Sequence, residues 1–209
     1  MAVTKQQARG LARRQAILDA AAELFLEKGF ERTSLSDILE RSKGSRSTLY
    51  DQFGGKEGLL RAMIEAATTR VWQVLGLDGD PLALSEEGLV TLGVRFVGAT
   101  LANDAVAIYR IIVAEGQRVP GLAQFFYDAG PRILKQHLTE RFRAALGADA
   151  VCPHAAEDMA QAFIGSVLGD FYFRKAIGQA SVWDDSEIER HVRGAVRIFL
   201  GGVAWANRC

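Results

Sequence analysis

The sequence predicts an all-α protein in two parts, a small N-terminal helix-turn-helix domain and a larger helical C-terminal domain. Three observations predict it. Apolar residues recur with a helical period, first as Ile17, Ala20, Ala21, Leu24 and Phe25 at i, i+3, i+4, i+7 and i+8. The chain of 209 residues contains only four prolines and few strand-like alternations. Residues 76–81, running from a glycine to a proline, form the clearest break between a polar, basic N-terminal part and a mostly apolar remainder.

The first helix is expected over 13–28. Gly29 follows Lys28 as a left-handed stop, and Phe30 folds back on the helix end. Ser34 and Asp37 read as a capping-box variant that opens a short helix over 34–41, with Leu35, Ile38 and Leu39 inward. That helix ends within 42–44, and Ser45 is the next N-cap, for a third helix over 45–53 with Leu49 and Phe53 buried one turn apart. Gly54 and Gly55 break the chain. Lys56 opens a longer fourth helix with Leu59, Leu60, Met63, Ile64, Ala67, Val71 and Leu75 along one side. Further helices are expected at 85–101, 104–117, 121–146, 155–177 and 185–207. Residues 90–97 also fit a strand, but the helical period and the lack of a partner strand favour helix. Pro131, after Gly130, predicts a kink or break in the long helix. The resulting domains are a tail at 1–12, a helix-turn-helix head at 13–62 whose connecting helix runs to about 75, and a helical domain at 82–209.

Composition narrows the function. Formal net charge is zero, but residues 1–61 hold eleven Lys/Arg against eight Asp/Glu, leaving fourteen against seventeen in the rest. Residues 41–50 hold three cations and no acid. Lys5, Arg9, Arg13 and Arg14 precede no apolar h-region, and no run is long enough to span a bilayer, so a cytoplasmic protein with no membrane partner is expected. Cys152 and Cys209 read as free thiols rather than a disulfide framework; a redox pair is the alternative. Cys152 and His154 lack the further ligands of a metal site, and no metal or cofactor is expected.

The stretch SRSTLYDQFGGKEGLL, beginning at Ser45, carries the functional signal. Two short helices joined by a tight turn form a helix-turn-helix, whose second helix enters the major groove with its N-terminal residues first. Small hydroxyl residues there (Ser45, Ser47, Thr48) let the backbone and the positive helix end approach phosphate. Arg46 is long enough to reach a base edge, guanine best. Tyr50 lies one turn on, and Lys56 starts the next helix within reach of another phosphate. Each residue also has an ordinary structural reading: Ser45 as a cap, Tyr50 as packing, Arg46 and Lys56 as solvated charges. It is the combination that points to DNA.

The segment AILDAAAELFLEKGFERTSLSDILERSKGSRSTLYDQFGGKEGLL resembles the N-terminal domain of the TetR family of bacterial transcriptional regulators. The likeness covers roughly residues 13–62, and FYDAGPRIL resembles an AefR-like subset of the family's C-terminal domains. The resemblance implies that Thr48, Tyr50 and Lys56 touch phosphates, and that Arg46 and Ser47, with Ser36 as a lesser candidate, touch bases. One departure stands out. The family's turn is usually Gly-Val-Ser, whereas here it reads Lys43, Gly44, Ser45. The apolar turn residue is missing, and Lys43 becomes a candidate for an additional phosphate contact.

A homodimer is expected, because two heads on a twofold axis read two half-sites. The last two helices are the candidate interface. They offer small residues (Ala162, Gly165, Gly169, Gly194, Ala195, Gly201, Gly202) and apolar ones, notably Phe163, Leu168, Ile188, Val192, Val196, Phe199 and Val203. The alternative is that these stripes fill the subunit's own core. The resemblance also implies an effector pocket, with Trp72, Phe96, Tyr109, Phe125, Phe126, Tyr172 and Phe173 as candidate lining residues. Aromatic groups with few charges suggest a largely apolar or aromatic small molecule. His137 is a candidate to orient it, though a surface or capping role fits it better, and Trp183 and Trp205 read as packing or interface residues. The function that follows is a ligand-responsive repressor on a palindromic operator. Rivals are an activator with the same head, a helical adaptor that does not bind DNA, and an all-α enzyme. The last is disfavoured because the aspartate pair Asp184 and Asp185 has no nucleophile, base or metal-ligand spacing beside it.

Overall fold

The computed structural model of the chain describes residues 5–76, 85–146, 154–179 and 183–206, with side chains from 7 and, in the last segment, up to 202. The described residues form helices α1 (Lys5–Lys28), α2 (Leu35–Ser42), α3 (Arg46–Phe53), α4 (Lys56–Leu75), α5 (Glu86–Thr100), α6 (Asn103–Glu115), α7 (Leu122–Ala129), α8 (Pro131–Leu146), α9 (Ala155–Leu168), α10 (Phe171–Ala176) and α11 (Asp185–Ala206), and no strand. Residues 90–97 therefore lie inside a helix. No single helix among the described residues is long and apolar enough to cross a membrane. Two compact units result, one of residues 1–67 with 107–126, the other of 68–106 with 127–209.

In the first unit the expected α1 stripe is buried: Ile17, Leu18, Ala21, Leu24 and Phe25 are all essentially inaccessible. The helix itself begins at Lys5, a little over two turns ahead of the expected start, in a stretch whose described side chains are exposed through Arg13. In the same unit Ile38 of α2, Leu49 and Phe53 of α3, and Leu59, Leu60, Met63 and Ile64 of α4 are buried as well. Polar links fix the turns. Thr33, fully buried, sets its hydroxyl 2.8 Å from the Gly29 carbonyl and 3.1 Å from that of Leu24. Arg41 grips both carboxylate oxygens of Glu27 at 2.9 and 3.0 Å, tying α2 back to α1. That contact holds the Glu27 carboxyl below its usual range. Farther along the chain, the Arg61 guanidinium lies 4.8 Å over the Phe125 ring.

The second unit is built around α5, α8, α9 and α11. Phe142, Phe163 and Phe199 meet pairwise with ring centroids 5.6–6.1 Å apart. Leu89, Leu92, Phe96, Val97, Leu138, Met159, Val167, Val192 and Val196 complete the same cluster. At its edge Arg193 bridges Glu87 at 2.6 Å and Glu189 at 2.9 Å, and Arg197 reaches Glu86 at 2.8 Å. Hydrogen bonds to Glu87 and Glu189 push the Arg193 guanidinium up from its ordinary value. The break expected at Pro131 is a full helix boundary, with Pro131 as the first residue of α8, where its missing N–H costs nothing. The single helix expected over 155–177 is instead two. Gly169 leaves helical geometry at φ 52°, and a side chain there would meet the His191 ring at 2.7 Å.

One close approach governs the N-terminal head. A Cβ on Gly58, in the first turn of α4, would lie 1.6 Å from the Phe53 carbonyl oxygen, which is backbone and cannot swing aside. Gly58→Ala is therefore expected to destabilise the protein by roughly 3 kcal/mol, at the severe end of overpacking. Urea denaturation followed by circular dichroism checks this, and an unchanged midpoint would show that α3 and α4 need not pack so tightly.

Candidate nucleic-acid interface

The surface of interest is built from α2, its following turn and α3. Its frame is a run of caps. Ser34 and Asp37 form a reciprocal capping box: the Asp37 amide donates to Ser34 Oγ at 3.1 Å, and the Ser34 amide donates to Asp37 Oδ2 at 2.9 Å. These bonds hold the Asp37 carboxyl below its ordinary range. Such a box satisfies two amides that a helix start leaves unpaired. Ser45 caps α3 by accepting from the Thr48 amide at 3.2 Å. Gly54, left-handed, closes α3 with its amide on the Tyr50 carbonyl.

Between the two helices Lys43 adopts φ 54°, the sole positive φ of a non-glycine among the described residues. The left-handed conformation is costly for a side chain with a Cβ. The sequence places its glycine one residue later, at Gly44, and there the reason is contact: an added Cβ would meet Ile17 at 3.3 Å and Ser42 Oγ at 3.0 Å. The turn thus packs directly on α1 without the apolar residue usual in the family, and Lys43 carries the strain while its side chain stays exposed.

The candidate contact residues fall into two groups. Ser36, Lys43, Arg46, Ser47 and Tyr50 are exposed, Tyr50 at 48%. No ion pair engages Arg46 or Lys43 among the described residues. The remainder are committed to the fold. The Ser45 hydroxyl serves the Thr48 amide and lies 2.8 Å from Thr48 Oγ1 and 3.2 Å from Ser47 Oγ, which fills its capacity of one donor and two acceptors. Ser45 is a cap. Thr48 is half-buried beside it.

Lys56 departs further from expectation. Its ammonium donates to the carbonyls of Phe30 at 2.8 Å, Thr33 at 3.1 Å and Glu31 at 3.3 Å, and sits 4.4 Å above the Phe30 ring. All three donors point into the turn between α1 and α2, so Lys56 clamps that turn to the start of α4 rather than reaching outward. Of the three cations in 41–50, Arg41 is likewise taken, by Glu27 and Glu23. Sequence spacing could not reveal either partner, because each lies many residues away.

The expected interface residues of the last helices also divide. Phe163, Val192, Val196 and Phe199 are core residues of their own subunit, which corrects the expectation. Gly165 and Gly169 are exposed and Leu168 is half-buried; the Val203 and Trp205 side chains lie outside the described residues. The face left open on these helices carries Ala162 and Gly165 on α9, with Gly194, Ile198, Gly201 and Gly202 on α11, and Ile198 is 79% exposed. One helix has two apolar faces, and the sequence alone did not say which looked inward.

The effector candidates are dispersed. Phe96 is buried in the second unit's core, with Trp72 and Tyr172 packed against that core, whereas Phe173 is 64% exposed. Phe125 faces Arg61, and Tyr109 and Phe126 are half-buried in the first unit. His137 stacks obliquely on Trp72 at 5.6 Å, and Trp183 packs edge-on to Phe171 at 4.9 Å. A cleft lined by Phe30, Glu31, Gly54, Gly55, Lys56, Glu57 and Gly58 contains none of the seven. Sequence reasoning also passed over Glu115, a nearly buried carboxylate at the C-terminal end of α6, whose Oε2 accepts no hydrogen bond. Among the described residues no group of three or more His, Cys, Asp or Glu is placed to hold a metal ion; Cys152 and Cys209 lie outside them.

Two substitutions separate fold from contact. Lys43→Gly relieves the left-handed residue and is expected to raise stability by about 1 kcal/mol. Lys56→Met leaves three carbonyls without their donor and is expected to lower it by roughly 1–3 kcal/mol. Thermal unfolding of both variants checks the pair, and equal melting temperatures would show that neither turn is strained or clamped as described.

The family of the chain follows from comparison with known proteins. Residues 17–63 match the model of the bacterial regulatory proteins of the tetR family, and residues 87–202 match that of the AefR-like transcriptional repressor C-terminal domain. The A-factor receptor protein of Streptomyces griseus is 35% identical over 132 residues, 62% of this chain but only 46% of that protein, so the chain spans about half the length of this relative. A TetR-family transcriptional regulator from Mesorhizobium loti shares the fold with a TM-score of 0.77 at 22% identity, over 93% of this chain and 98% of the other. The flavonoid-responsive regulator FrrA superposes with a TM-score of 0.72 at 26% identity, over 91% and 96% of the two chains. With both its head and the larger part of its remaining helices accounted for, the chain belongs to the TetR family of bacterial transcriptional regulators.

Proposed function

We propose that the protein is a repressor that binds a palindromic operator as a homodimer and leaves it when a small effector binds. The observation that carries this reading is α3. It is a capped helix of 8 residues whose first two residues, Arg46 and Ser47, are exposed and whose Arg46 has no ion-pair partner among the described residues. In this reading Arg46 and Ser47 meet base edges, with Ser36 beside them. Lys43, Tyr50 and the amide-rich start of α3 meet phosphates, and Thr48 contributes from its half-buried position. Ser45 and Lys56 act behind the surface, holding α3 and the turn before α2.

Twofold pairing rests on the open small-residue face of α9 and α11, where Ile198 supplies the exposed apolar anchor. Pairing there sets two heads for half-sites about one helical turn apart. The effector proposed is a small, largely apolar or aromatic molecule. The flavonoid-responsive character of FrrA, a structural neighbour, is in keeping with that class. α4 contributes Lys56–Ala67 to one unit and continues into the other, which makes it the proposed route of response. A ligand shifts such a balance only by its differential affinity for the two states. The same head serves an activator equally well, and reporter assays of the controlled promoter distinguish the two. In this reading the protein acts in the cytoplasm, and no catalytic step is part of the proposal.

Selection of bound sequences from a random duplex pool tests the proposal, with a palindrome as the expected product. Arg46→Ala is then expected to weaken operator binding by about 1–3 kcal/mol and to relax preference at one base pair in each half-site. Recovery of no enriched sequence at low salt would instead favour an adaptor that has lost DNA binding.

A further inference from the structure

The first turns of α1 are unexplained by the head's own packing. Residues 7–13 are exposed without exception, and the first residue to enter the core is Ile17. The stretch contains Gly10, around which an added Cβ would touch nothing, and a largely exposed Leu11. A helical glycine costs about 1 kcal/mol relative to alanine. Arg9 and Arg13 recur at i and i+4, and residues 7–18 contain no acidic residue. Like charges at i, i+4 repel along one helix face. No ion pair engages Arg9 or Arg13 among the described residues. Glycine, exposed backbone and stacked like charges all work against a helix here, and no apolar packing offsets them.

This basic segment is nevertheless held in a defined place. The Arg14 guanidinium lies 5.2 Å over the ring of Phe53, the last residue of α3. The segment is therefore anchored beside the C-terminal end of the helix proposed to enter the groove. Arg9 and Arg13 stand about 6 Å apart along the helix axis, at 1.5 Å per residue. DNA presents one phosphate per roughly 3.4 Å of axis on each strand, so two such cations can meet nearby phosphates of a single strand.

We propose that the N-terminal turns of α1 form a second DNA contact, a cationic ridge of Arg9 and Arg13 that grips the phosphate backbone flanking the base pairs read by α3. The contact carries no base specificity and extends the bound site outward at each end. It rests on the DNA-binding reading given above.

The test is the double variant Arg9→Gln/Arg13→Gln in the full chain, on the duplex recovered by selection and on an unrelated duplex. Arg143→Gln, an exposed cation of α8, serves as the control. Releasing two phosphates per head should flatten the slope of log affinity against log salt by about 1.8 per head. The weakening should be equal on both duplexes, and hydroxyl-radical protection should vanish at the outer edges of the footprint while the centre stays protected. An unchanged slope and footprint, with the wild-type protein binding normally, would overturn the ridge and leave the head intact. Wild-type protein that bound neither duplex would overturn the DNA-binding reading, and the ridge with it.

Discussion

A helix of eight residues is too short to hold itself in water, and the DNA-reading surface depends on overcoming that. Isolated helices need on the order of 12–15 residues before they persist. α3 has 8 and carries no charged capping residue of its own. It persists because Leu49 and Phe53 are buried, Ser45 and Gly54 close its two ends, and Gly58 lets the start of α4 approach the Phe53 carbonyl. Burying two such side chains contributes roughly 3–6 kcal/mol, enough to outweigh the propensity of so short a segment. The side left outward is then free of packing duty, and that freedom is what leaves Arg46, Ser47 and Tyr50 available to another molecule.

The same division of labour explains why several suggestive polar residues turn inward in the head. Lys56 and Arg41 are cations near the surface, yet each directs its donors inside the head, one to three backbone carbonyls and the other to Glu27. The Arg41–Glu27 link positions a turn more than it stabilises it, because exposed ion pairs are worth little. In the head, Arg46, Lys43, Arg9 and Arg13 engage no ion pair among the described residues, and in the proposed reading they keep their capacity for phosphate or base. A zero net charge thus coexists with a locally cationic head, and acidic residues elsewhere balance the total.

In the second unit the constraint is different. α11 must serve a core and a surface at once. Val192, Val196 and Phe199 turn inward to meet Phe142 and Phe163, while Gly194, Ile198, Gly201 and Gly202 face outward. The Arg193 and Arg197 links to Glu87 and Glu86 fix α11 against α5. An open apolar stripe on a helix already rigidly seated is suited to close packing against a like surface, because its shape is settled before a partner arrives.

The local signals were legible in the sequence itself. The helical period, the capping serines, the breaks at Gly54 and Pro131 and the helix-turn-helix all depend on residues within a few positions of one another. So did the family resemblance, which rests on a contiguous motif. What the sequence could not contain was the identity of distant partners. That Lys56 would turn to the Phe30–Thr33 carbonyls, and that Phe163, Val192, Val196 and Phe199 would face their own core, were settled by contacts between segments far apart in the chain. Periodicity marks a helix face as apolar, but only tertiary packing determines what covers it. The division follows from range: caps and periods are enforced by neighbours in sequence, whereas the direction of a long side chain is decided by whichever donor or acceptor the fold brings within about 3 Å.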